Sequence, residues 1–222
     1  LPGASSITAM DAAHPRMASA CGERIVDMVW EDLKPSRILS QGSLRNALHV
    51  DVALGGSTNA AVHLVAMARR AGLAIDLDDL DAAARRTPVL ANIFPAGDAL
   101  MEDFYFAGGV LGLMTRLTDR LDLDALNVTG GTLRDALARA RVDDDDVIRP
   151  LDRPVTTAPA IAVLTGNLAP DGAVIKPSAA SPALLTHRGR AIVFDGHADF
   201  NKRLDDPSLD IDETCVLVLR GA

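Results

Sequence analysis

The stretch Gly55-Gly56-Ser57-Thr58-Asn59 holds residue types that gather readily around an anion. Two glycines let the main chain pass close to another group. Ser57, Thr58 and Asn59 stand at the start of an apolar run, where a helix would leave free N–H groups beside two hydroxyls and an amide. Such a place suits a substrate carboxylate or the edge of a metal cluster. The same residues also make an ordinary capped helix, with Ser57 or Thr58 supplying the cap oxygen and the glycines permitting close packing. Both readings stand at this level. Glu102 and Asp103 are a second candidate. Two adjacent acids after a turn have the chemistry of metal ligands or of a general acid–base pair. They equally suit the first turn of a helix, whose positive end favours carboxylates.

The other reactive types are dispersed. His14, His49, His63, His187 and His197 form no HExxH or HxH pair, so zinc hydrolysis has no support. His63 falls inside an apolar run and reads as a hydrogen-bonded core histidine. Asp143-Asp144-Asp145-Asp146 reads as a solvated acidic loop rather than a metal site, because no spaced ligand set surrounds it. The segment from Gly166 to Lys176 reads as strand, loop and strand, with Pro170-Asp171-Gly172 setting a tight turn. Phosphate-loop, dinucleotide-binding and nucleophile-elbow motifs are all missing.

These segments need elements to position them. Apolar spacing predicts a helix over Glu23–Leu33, stopped by Pro35, and a second helix capped by Ser43. A third runs from Ala60 to Ala71 with Gly72 closing it, and is apolar nearly all round, which predicts burial on most faces. Leu77–Arg86 and Thr132–Ala140 read as amphipathic helices, and Gly97–Met114 as a loop that becomes helical near Gly108-Gly109. After Arg149-Pro150 the pattern turns to strands at Ile161–Leu164, Val174-Ile175, Ala191–Phe194 and Cys215–Leu219, with one helix at Ala198–Leu204. The expected architecture is α/β. A helix-rich piece over 1–155 is followed by the start of a small β-barrel-like domain over 156–222.

Bulk composition narrows the class. With 222 residues, 48% apolar, the chain can bury a real core. Aromatics are only 3%, so the core is aliphatic. A net charge of −8 and scattered Lys and Arg argue against a nucleic-acid partner. Cys21 and Cys215, with no CxxC, read as two reduced, partly buried thiols. With no secretory N-terminus and no run of membrane-spanning length, the expectation is a cytoplasmic protein without membrane contact. The chain opens on Leu1-Pro2-Gly3 without an initiator Met, and it reads as an internal piece of a longer protein.

Several segments taken together resemble one family. Leu54-Gly55-Gly56-Ser57-Thr58-Asn59 followed by Val62-His63-Leu64, and Glu31-Asp32-Leu33-Lys34-Pro35-Ser36, are similar to the dihydroxy-acid and 6-phosphogluconate dehydratases. So are Met101-Glu102-Asp103-Phe104 before Ala107-Gly108-Gly109, Val128-Thr129-Gly130, and the whole run from Gly166 to Lys176. Leu1-Pro2-Gly3-Ala4-Ser5-Ser6-Ile7, Tyr105-Phe106-Ala107 and His187-Arg188-Gly189 resemble the sugar-acid branch, which acts on aldonates such as arabonate or xylonate.

The resemblance implies removal of water from a 2,3-dihydroxy acid to give a 2-keto acid. It implies an iron–sulfur cluster acting as Lewis acid, a magnesium ion holding the substrate, and a serine base. It also implies homodimers or homotetramers. The family's cluster cysteines lie upstream of the matched stretch and its base downstream. Cys21, Cys215 and Ser178 match none of these motifs, so no catalytic residue and no metal ligand is assigned here. The expected lining of the intact site is Ser57, Thr58 and Asn59, with Glu102 and Asp103 behind them. The rival expectations are a dihydroxy-acid dehydratase of branched-chain amino-acid synthesis and a non-catalytic scaffold or binding module of the same fold.

Overall fold

A computed structural model describes residues 1–221, which form two compact bodies, Leu1–Ala179 and the residues from Ala180 on. The first body opens with α1 (Ala13–Trp30), α2 (Pro35–Ile38) and α3 (Gln41–Ala53). Helix α1 starts ten residues before the predicted Glu23. Its Pro15 sits in the first turn, where no N–H is needed, so the proline is no obstacle. It stops short of Leu33 because Asp32 turns into the left-handed region at φ 51°. The cap of α3 is Ser40, not Ser43. Ser40 has the extended backbone of a cap residue, and the two serines bond reciprocally at 2.9 and 3.1 Å.

Helix α3 is the centre of this body. Leu44, Leu48 and Val52 recur every four residues and form one buried row. They pack with Ala61 and Ala68 of α4 (Thr58–Arg70) and with Leu80, Ala83 and Ala84 of α5 (Leu77–Arg86). Asp76 caps α5 by accepting the N–H groups of Asp78 and Asp79 at 3.0 and 3.2 Å. The next residue of α3, Ala53, enters a second core. That core is built around Phe104, Leu113, Leu117 and Ile148, from α6 (Met101–Phe106), α7 (Gly109–Thr115) and the loops between. α8 (Leu133–Leu137) closes it with Leu133 and is shorter than predicted. The helix expected to begin near Gly108-Gly109 is α7, while the stretch before it, read as loop, carries the further helix α6, and Gly108 at φ 121° separates the two.

One expectation fails at α4. Apolar composition on all sides predicted burial on most faces, yet Val62 is 63% exposed, and Met67 and His63 also face outward. The helix packs only towards α3, α5 and the hairpin below, so its opposite face is bare among the described residues. His63 is therefore not a core histidine.

Strands β1 (Ala162–Leu164) and β2 (Ala173–Ile175) form an antiparallel hairpin with Leu164 opposite Ala173. Gly172 at φ 97° makes its turn possible, as the Pro170-Asp171-Gly172 signal predicted. The hairpin lies on α5 and α4, and Ala160 and Ile161 join the first core. In the second body β3 (Ala191–Asp195) crosses over through α9 (Gly196–Arg203) to a parallel β4 (Val216–Arg220). Its buried Phe194 meets Phe200 edge-on at 5.1 Å, and Arg203 lies over the Phe194 ring at 5.2 Å. The class is mixed α/β, as expected. The sheets are two-stranded, and no closed barrel forms among the described residues. Among the described residues no helix is long and apolar enough to cross a membrane.

Candidate functional site

The Gly55-Gly56-Ser57 segment joins two helices, and its geometry follows from how α3 ends. Gly55 N–H donates to Val52 O at 3.1 Å and Gly56 N–H to Asp51 O at 2.9 Å. This pair of bonds satisfies the last carbonyls of α3 and needs a left-handed residue after the helix. Gly55 and Gly56 supply it, at φ 110° and 74°. Ser57 then caps α4, its Oγ accepting the Ala60 N–H at 3.2 Å. The glycines are thus used in the turn, and one lone pair of Ser57 is used in the cap.

What remains free lies just beyond. Thr58 and Asn59 are exposed at the first two positions of α4. Their N–H groups have no intrahelical acceptor, and no other protein acceptor among the described residues. The start of a thirteen-residue helix therefore presents two donors, a hydroxyl and an amide to solvent.

Two side chains that sequence reasoning gave no role complete this corner. The Asp51 carboxylate accepts the Ser57 N–H at 3.3 Å, and the Lys176 ammonium donates to the Gly56 carbonyl at 3.1 Å from 120 residues away. Burial pushes the Asp51 carboxyl above its ordinary range, while the Ser57 bond and the Lys176 charge pull it down. A signal for Asp51 was present in the sequence. An acid in the last turn of a helix opposes the dipole and asks for a reason. Lys176 offered only its place at the end of an apolar strand.

This carboxylate makes a pH prediction. Its folded pKa is raised, so between the ordinary aspartate value and the folded one the native state holds more protons than the unfolded chain. Stability then falls as pH rises through that window, and the penalty is complete above it. Asp51→Asn keeps an acceptor for Ser57 and removes the penalty. The urea midpoint of the variant at pH 7 is expected to equal or exceed that of the parent, with the advantage vanishing towards pH 4. A lower midpoint at pH 7 would show that the charge is net stabilising through Lys176.

The acidic pair is placed differently. Residues 89–93 hang from the end of α3, with Leu90 and Ala91 N–H groups both donating to Ala53 O at 2.9 and 3.1 Å. The turn that follows brings the Ala96 methyl beside Gly55. The side chains of the two candidate segments are not joined. Asp103 accepts the Leu100 N–H at 2.7 Å and caps α6, while Glu102 is exposed. Neither bonds to Ser57, Thr58 or Asn59 among the described residues. In the acidic run, Asp143, Asp145 and Asp146 pair with Arg141, Arg116 and Arg153, and Asp144 caps the N–H groups of Asp146 and Val147.

No group of three or more His, Cys, Asp or Glu side chains is arranged to hold a metal among the described residues. Cys21 and Cys215 are free thiols, one in each body. An iron–sulfur cluster needs several thiolates converging on one point. The donor set of this chain does not fit one.

Comparison with known proteins gives these features a family. Over the whole chain it is 52% identical to 6-deoxy-6-sulfo-D-gluconate dehydratase of Pseudomonas putida and 45% identical to L-arabinonate dehydratase of Rhizobium leguminosarum bv. trifolii. Over 88% of the chain it is 46% identical to a dihydroxy-acid dehydratase of Caldicellulosiruptor bescii. The chain spans 39%, 38% and 36% of those three proteins. Residues 1–136 match the domain described as dihydroxy-acid/6-phosphogluconate dehydratase N-terminal, and residues 146–222 match its C-terminal counterpart. On these two matches, the chain belongs to the dihydroxy-acid/6-phosphogluconate dehydratase family.

Proposed function

We propose that the protein carrying this chain is a hydro-lyase that removes water from a sugar acid of the aldonate class to give a 2-keto acid. The observation that carries the reading is the end-to-end match to two sugar-acid dehydratases, at 52% and 45% identity. The C2 proton and the C3 hydroxyl leave, and the resulting enol becomes the ketone. The iron–sulfur cluster and magnesium ion of this reading take their ligands from segments other than this one, so no step is assigned to them here. What this chain supplies is position. The α4 start, with Thr58 and Asn59 exposed and Ser57 behind them, suits a carboxylate or the rim of a cluster. Asp51 and Lys176 hold that start in place. Glu102 and Asp103 complete the proposed lining, behind these residues.

The same reading divides the longer protein into a catalytic α/β domain that ends near 155 and a barrel-like C-terminal domain that begins at 156. It makes the protein a homodimer or homotetramer. The open apolar faces of α1 (Val29, Trp30) and α4 (Val62, Met67) support self-association. A second reading, dehydration of a branched dihydroxy acid, draws on the 46% match to the C. bescii protein.

The test is 2-keto acid release by the anaerobically prepared protein. The panel holds aldonates, 6-deoxy-6-sulfogluconate and 2,3-dihydroxyisovalerate. Turnover of a sugar acid is expected. Turnover of dihydroxyisovalerate alone would move the assignment to the second reading, and no turnover of any member would leave only the scaffold.

A further inference from the structure

On the side of α3 away from Asp51, positive charge collects in excess of negative. His49 and Asp51 are two residues apart, and so about 200° apart around the helix. Arg45 and His49, one turn apart on α3, face Asp79 and Arg86 of α5 across a cavity of about 320 Å³. Arg120 stands beside this lining, its Nε donating to the Arg86 carbonyl at 3.3 Å. Arg45 is taken up by Asp79 at 3.2 Å. Arg86 and Arg120 pair with no carboxylate among the described residues.

Three guanidiniums against one carboxylate leave two positive charges around a half-buried imidazole. Such a group is held together at a cost unless an anion offsets it. The imidazole is not loose. Its Nδ1 lies 2.7 Å from Oγ1 of Thr87, which is 2% exposed. With the Thr87 hydroxyl donating to Nδ1, the proton of a neutral His49 sits on Nε2 and is free to be donated. Burial, and then the charges of Arg120 and Arg86, favour that neutral form.

We propose that this cavity is a binding site for a dianionic oxyanion of the phosphate class, held by Arg86 and His49 of its lining with the charge of Arg120 beside it. Two uncompensated guanidiniums match a dianion in charge, and the paired N–H groups of a guanidinium are donors suited to its oxygens. A single carboxylate would leave one charge unanswered. The site is separate from the α4 start and does not rest on the dehydratase reading.

The test is calorimetric titration of inorganic phosphate, a sugar monophosphate and acetate into the protein carrying this chain, at constant ionic strength. Saturable phosphate binding is expected, with acetate weaker by about tenfold or more. Arg86→Gln is expected to weaken phosphate by about tenfold, the loss of one charge-assisted contact. Arg69→Gln, an exposed arginine at the far end of α4, leaves it unchanged. Tighter binding of the sugar monophosphate would identify the ligand as the phosphoryl group of a metabolite, and equal binding would identify the free ion. Absence of saturable binding, acetate binding as well as phosphate, or a folded Arg86→Gln with the parent's affinity each overturns the proposal. Should Arg86→Gln fail to fold, Arg120→Gln is judged by the same tenfold criterion.

Discussion

Gly56→Ala is expected to destabilise the first body by about 2–5 kcal/mol. Two physical terms add. A non-glycine residue held at φ 74° costs about 1–2 kcal/mol, because its Cβ crowds the backbone in the left-handed region. The new methyl carbon would then stand 2.6 Å from Cγ1 of Ile161 and 3.1 Å from Cβ of Ala160. Ile161 is wholly buried in the first core and has little room to retreat, which adds about 1–3 kcal/mol of overpacking. Urea unfolding of parent and variant measures the difference. A loss below about 1 kcal/mol would mean that the α3–α4 turn relaxes and that the glycine is not demanded by packing. The companion variant Thr58→Ala, exposed at the first position of α4, is expected to stay within about 0.5 kcal/mol of the parent. The pair therefore separates the residue that builds the corner from one that only presents chemistry on it.

Phe104→Ala is expected to cost about 3–5 kcal/mol, the range for deleting a large buried aromatic. Phe104 is fully buried, and it anchors α6 in the second core beside Leu113, Leu117 and Ile148. Glu102 stands two residues away on the same short helix and is exposed, so Glu102→Gln is expected to change stability by no more than about 0.5 kcal/mol. If Glu102→Gln instead unfolds the body as Phe104→Ala does, the acid has a structural role that its exposure does not show. If Phe104→Ala costs under about 2 kcal/mol, the second core collapses around the loss more readily than its full burial implies.

Much of the local structure was legible in the residues themselves. The bounds of α5 followed from its amphipathic spacing, and nearly those of α4 from a cap residue before an apolar run and a glycine after it. The Pro170-Asp171-Gly172 turn followed from the conformations those three residues allow. The ordered set of motifs also pointed to the dehydratase family, which the domain matches then showed. All of these depend on neighbours a few positions apart, which a linear reading sees.

Other features needed the chain to fold back on itself. The Lys176 bond to Gly56 spans 120 residues, and the Asp51 carboxylate acquires its raised pKa only when that corner is buried. The Arg86–Arg120 contact depends on the end of α5 meeting a segment 34 residues further on. The early start of α1 was hidden because its first turns carry few apolar residues to mark a period. The bare face of α4 was misread because apolar composition states what a helix can bury, whereas burial itself depends on what packs against it. Caps, turns and periodicity are short-range and are encoded where they occur. Burial, charge environment and the meeting of distant side chains are properties of the assembled core, and only the tertiary structure decided them.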